Sequence, residues 1–95
     1  MHVLALEVDL RVPHAHSLKD RRQAVKPLIE GARRRFGVSV AEVGAPEAWQ
    51  RAVLGFAVVA STPTGAERVM ADVESFIWDH PDVEIVTVTT HWLGD

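Results

Sequence analysis

The sequence predicts a ferredoxin-like α+β sandwich: strand and helix in the order β-α-β-β-α-β, with two helices on one face of a four-stranded antiparallel sheet. Three observations predict it. Residues 6–12 alternate between apolar and polar, residues 49–60 are a long run apolar on both faces, and residues 83–93 are rich in Val, Ile and Thr. Residues 17–36 and 66–79 place apolar side chains at helical spacing. No linker, repeat or low-complexity stretch divides the 95 residues, so 1–95 is expected to be a single domain.

The first strand spans Val3 to Val12, with Leu4, Leu6, Val8, Leu10 and Val12 on one face and Glu7, Asp9 and Arg11 on the other. Pro13 interrupts it. Ser17 to Asp20 has the form S-x-x-D of a helix start: Ser17 caps, and Asp20 lies near the positive end of the helix dipole. The first helix then runs to about Phe36, with Leu18, Val25, Leu28, Ile29, Ala32 and Phe36 on one face and Gly37 as its stop. Pro27 falls inside it, at a cost of ~3 kcal/mol if buried. Its place opposite the apolar stripe turns it to water, so one helix with a bend is expected.

Val38–Val43 forms a short second strand, Gly44-Ala45-Pro46 turns the chain, and Trp49–Ala60 is a third strand, apolar on both faces. Thr64 is the expected cap of a second helix from Ala66 to Asp79, which buries Val69, Val73, Phe76 and Ile77. His80-Pro81-Asp82 breaks it, and Val83–Leu93 is the last strand. Right-handed crossovers put both helices on one side of the sheet and leave the other side bare.

With 47% hydrophobic residues the chain can build its own core, and it contains no cysteine. A disulfide framework, a thiol nucleophile and a cysteine zinc site are thereby excluded. MHVLALEVDLRV lacks the basic region of a signal peptide, and no run approaches ~20 apolar residues. A soluble cytoplasmic protein without a membrane partner is expected. The absence of Asn and the excess of Arg over Lys suit a hot-growing source, and a high-GC genome gives a similar bias.

SLKDRR at 17–22, RRFGVSVAEV at 34–43 and WQRAVLGFAVV at 49–59, with HPDVEIVTV at 80–88 as a looser match, resemble the YlxP-like family of small bacterial proteins. The resemblance covers nearly the whole chain. It implies a ferredoxin-like fold. Because the family's genes often lie among those for translation initiation and ribosome maturation, it also implies work near RNA or the ribosome. It brings no catalytic residue onto this chain. Pro27 departs from the family's first helix.

The formal net charge of -3 hides a division. Residues 17–36 carry seven cations against two anions, whereas residues 61–95 carry one cation, Arg68, against seven anions. On a helical wheel Lys19, Arg22, Lys26 and Arg33 fall in a stripe about 60° wide that borders the apolar face. Arg21 and Arg35 are read on the other flank, and Arg34 points outward. A one-sided stripe is what phosphate binding needs, since several cations must meet one backbone. A solvated amphipathic face is the plain alternative, and Glu30, four residues from both Lys26 and Arg34, favours it. Lys19, Arg21 and Arg22 fit that alternative less well, because cations in a helix's first turns cost ~0.3–1 kcal/mol each. The expected nucleic-acid contacts are therefore Lys19, Arg22, Lys26 and Arg33, then Arg21 and Arg34, with RNA or a ribosomal subunit as partner.

The bare sheet face offers Val3, Ala5, Glu7 and Asp9 from the first strand and Arg51, Val53, Gly55, Ala57 and Val59 from the third. It lacks the aromatics on which RNA-recognition modules stack bases. Val53, Ala57 and Val59 are instead expected to meet a second copy, as in a homodimer, or another protein. Trp49 and Trp92, at strand ends, are expected to cover core edges, with Trp78 as a weaker anchor. His14 and His16 lack a third ligand at usable spacing, so neither metal nor cofactor is expected. Glu7 and Asp9 share a strand face, but no G-x-S-x-G, Walker A or G-x-G-x-x-G motif accompanies them, and an enzyme is not expected.

Overall fold

In the computed structural model, which describes residues 1–93, six elements follow one another. They are β1 (His2–Arg11), α1 (Leu18–Phe36), β2 (Ser39–Gly44), β3 (Arg51–Ala60), α2 (Pro63–Trp78) and β4 (Glu84–Leu93). The strands form one antiparallel sheet in the order β2-β3-β1-β4, so the ferredoxin-like arrangement stands. β1 lies inside the sheet, with Leu6 opposite Phe56 on β3 and Thr90 on β4.

Alternation decides which face is buried. Leu4, Leu6, Val8 and Leu10 of β1 and Ala52, Leu54 and Phe56 of β3 turn towards the helices and form the core with Val25, Leu28, Ala32, Met70, Val73 and Ile77. Phe56, Leu10, Leu28 and Leu54 are fully buried, each stabilising the fold by about 1.5–3 kcal/mol. α1 packs over β2, and α2 over β1, β3 and β4, so the two helices take opposite flanks of the sheet. They meet at Gly31, where an added Cβ would lie 2.6 Å from Cζ of Phe76. The Phe76 ring stands edge-on to Phe36, with centroids 5.7 Å apart.

The helix ends follow local chemistry. Ser17 Oγ accepts from the Asp20 N–H at 3.0 Å, and the Asp20 carboxylate accepts from the His16 N–H at 3.0 Å. Gly37 ends α1 at φ 67°, a left-handed conformation that costs glycine little. Pro27 is exposed, and α1 runs through it as one element. The second helix begins earlier than expected. Thr62, not Thr64, is its cap, accepting from the Gly65 N–H at 3.0 Å. Pro63 then occupies the first turn, where its fixed φ suits a helix and its missing N–H costs nothing. β3 also starts two residues later than Trp49. Gln50 instead donates from Nε2 to the carbonyls of Ala15 at 3.0 Å and Pro13 at 3.3 Å, tying that loop to the one before α1. No helix among the described residues is long and apolar enough to cross a membrane.

Candidate nucleic-acid interface

The α1 cations separate into three environments. Arg22, Lys26 and Arg33 line one groove of 320 Å³ between α1 and β2, together with Val25, Ile29, Glu30 and Glu42. Lys19, one turn before Arg22–Lys26, is exposed, and Arg34 is exposed as well. Lys19, Arg22 and Arg34 make no hydrogen bond or ion pair among the described residues. Lys26 pairs loosely with Glu30, Nζ to Oε1 at 3.9 Å, an exposed contact worth about 0.3–0.5 kcal/mol. Arg33 donates from Nη2 to the Val40 carbonyl at 2.6 Å, which pins its guanidinium beside β2.

Arg21 does not join them and, contrary to expectation, is not exposed to meet a phosphate. It is 3% exposed. Its Nη2 donates to Glu42 Oε1 at 2.6 Å and to the Ala45 carbonyl at 3.3 Å, and its Nε to the Arg51 carbonyl at 2.9 Å. Spacing carried the signal: Arg21 precedes Val25 by four and Leu28 by seven, on the apolar stripe itself. Its fork satisfies the turn between β2 and β3, including Ala45, whose φ of 55° is unusual for a residue with a side chain. Arg35 does lie on the opposite flank, its guanidinium carbon 5.1 Å from the Phe76 ring centre and 5.6 Å from that of Phe36.

The open sheet face also departs from expectation. Val53 has the predicted parity but is buried, beside Gly44 of β2 and opposite Asp9 of β1, so it is unavailable to a partner. Val59 is 65% exposed. Ala57 lines a trough of 340 Å³ with Ala5, Ala41, Gly55 and Val43, bordered by Glu7 and His91. Asp9, which shares a strand face with Glu7, is gripped by Arg51: Nε to Oδ1 at 3.0 Å and Nη2 to Oδ2 at 2.8 Å. These hydrogen bonds hold the Asp9 carboxyl below the usual carboxylate range, against the opposing effect of burial and with the help of the Arg51 charge. Glu7 and Asp9 therefore do not act as a pair. The tryptophans cover less than expected. Trp49, Trp78 and Trp92 are all exposed, and none of their indole N–H groups donates a hydrogen bond among the described residues.

Charge thus segregates in space as it does along the chain. The basic groove follows the β2 flank, while Glu67, Asp72 and Glu74 line α2 on the other. Fold and flank together define a small ferredoxin-like domain with one basic and one acidic helix. The chain belongs to the family described as "Protein of unknown function (DUF503)", whose profile matches residues 3–90. It is 31% identical over 86 residues to "Uncharacterized protein YlxP" of Bacillus subtilis (strain 168), covering 90% of this chain and 94% of that one. Among solved structures it is similar to the "De novo designed protein Foldit4", with a TM-score of 0.55, 16% identity and 98% of each chain covered. A second designed protein, "LFR1 1 with ferredoxin fold", aligns at a TM-score of 0.49 and 14% identity, covering 100% of this chain and 88% of that one.

Proposed function

We propose that this chain is a non-enzymatic accessory protein of translation or ribosome maturation that holds RNA phosphates with the outer flank of α1. One observation carries the reading: Arg22, Lys26 and Arg33 share a single groove, with Lys19 a turn away. Cations arranged in this way meet consecutive phosphates of one backbone and position a protein without reading sequence. Glu30 and Glu42 in the same groove hold the affinity down, which suits a factor that must also leave. The acidic α2 flank repels the same polyanion, so only one side of the molecule can dock. The test is rebinding of the nuclease-treated protein to purified ribosomal subunits at low salt. Retention that Lys19→Gln, Arg22→Gln and Lys26→Gln together abolish supports the reading. No retention at low salt overturns it.

A second reading is supported by the exposed Val59 and the small-residue trough at Ala5, Gly55 and Ala57: a protein-interaction module or homo-oligomer built on the open sheet face. Val59→Lys would then shift the sedimentation coefficient towards that of the monomer. A wild type that is monomeric at every concentration removes the homo-oligomer.

A further inference from the structure

The two edges of the sheet are unlike. β2 is six residues long, carries an irregularity between Glu42 and Gly44, and has its Val40 carbonyl taken by Arg33. Short length, a bulge and an occupied carbonyl are the usual ways to keep a strand edge from pairing with another chain. β4 is ten residues long and pairs on one side only. Its register with β1 shifts between Asp9 and Leu10, which leaves Val86 as the extra residue and guards that end alone. From Thr87 to Leu93 the pairing is regular, and these seven residues include no proline, no lysine and no carboxylate. Alternate N–H and C=O groups there face outward without a strand partner.

Above this edge lies a groove of 250 Å³, lined by Leu4, Leu6, Met70, Ala71, Thr90 and Trp92 and rimmed by Glu67 and Glu74. Glu67, Ala71 and Glu74 stand at helical spacing on the side of α2 that overlooks β4. Neither glutamate has an ion-pair partner among the described residues. Trp92 is 48% exposed at the groove's end.

We propose that the Thr87–Leu93 edge of β4 takes an extended basic segment of another protein as a fifth strand. Its backbone pairs with the open groups of β4. Its side chains on the helix side are Lys or Arg, meeting Glu67 and Glu74, and the apolar residues that alternate with them face the open side of the sheet. Charge selects this occupant over a second copy. Pairing β4 with β4 would bring the acidic α2 flanks together, and neither edge strand of this chain carries a Lys or Arg to offer.

The probe is an acetylated and amidated peptide of alternating Lys and Val, followed in amide NMR spectra of the intact protein. Shifts are expected at Thr87–Leu93, with slowed exchange of outward N–H groups. A Glu–Val peptide should bind at least about tenfold more weakly, and Glu67→Gln with Glu74→Gln should level the two. Both glutamates are at the surface, so the variant keeps its fold. The proposal is overturned by shifts confined to β2 or α1, or by no shift at millimolar peptide. Equal binding of a backbone N-methylated Lys–Val peptide would overturn the added strand, and self-association through the same amides would give the edge to a second copy.

Discussion

Arg21 reaches from the first turn of α1 to Glu42 near the end of β2, its Nη2 donating to Oε1 across 2.6 Å, while Nε holds the carbonyl of Arg51. One buried guanidinium thus joins a helix to both strands of a hairpin. Glu42 is itself only 36% exposed, so the pair is worth more than a surface contact. Replacing Arg21 by Gln leaves the Ala45 and Arg51 carbonyls short of a donor and should lower stability by about 2–4 kcal/mol in urea unfolding. Arg21→Lys should recover only part, because an ammonium cannot make the same planar fork. Glu42→Gln should cost about 1 kcal/mol, since its amide oxygen still accepts.

The basic groove makes a prediction that Arg21 sharpens. With four phosphate contacts, the log–log slope of affinity for duplex-like RNA against salt should be about -3 to -4. Changing Lys19, Arg22 and Lys26 to Gln should remove roughly three units of that slope, with a stability change under about 1 kcal/mol. Arg21→Gln should leave the slope of the folded protein unchanged, and so should Arg68→Gln on α2. Titrations with ribosomal RNA fragments at several salt concentrations measure this. A slope indifferent to the triple change would reduce the cations to a solvated face.

The Asp9–Arg51 pair sets an acid dependence. Asp9 is held below the usual carboxylate range in the folded chain, so unfolding takes up protons as pH falls. The stabilisation is fully present above an ordinary carboxylate's titration, at about pH 5 and higher, and is lost as pH falls through the depressed folded value. The effect is small because Arg51 is more than half exposed to screening solvent. Asp9→Asn should flatten the acid limb of stability against pH while leaving the profile above pH 6 parallel to that of the wild type.

The cap of α2 distinguishes two threonines. Thr62→Ala should cost about 1 kcal/mol, and Thr64→Ala less than about 0.5 kcal/mol, in thermal or urea unfolding. Equal losses would contradict the bond between Thr62 Oγ1 and the Gly65 N–H.

What was legible in the sequence was whatever depends on near neighbours. The apolar–polar alternation from Leu6 to Val12 declares both the strand and its buried face, and Gly37 declares the end of α1, because each follows from backbone period or a single residue's conformational freedom. The charge of Arg21 points to solvent, while its spacing puts it on the apolar stripe. Its partners Glu42, Ala45 and Arg51 come from a hairpin that no local rule brings near. Val53 failed for a similar reason. Parity assigned its face, but its burial came with neighbours from β2 and β1. Thr62 rather than Thr64 caps α2 because a proline suits the first helical turn, which brings Pro63 into the helix.

The sheet's strand order has a consequence for synthesis. β1 emerges first yet lies inside the sheet, and its partners begin only at Arg51 and Glu84. The β2–β3 hairpin can close locally, but each ladder made by β1 must gather a long intervening chain, which slows folding into the range of mixed α/β domains. A nascent chain therefore carries Leu4, Leu6, Val8 and Leu10 uncovered until β3 has been made. Even then β1 keeps a free edge until β4 arrives. Through that interval the future centre of the sheet is its most adhesive margin, open to a holdase or to a neighbouring nascent chain.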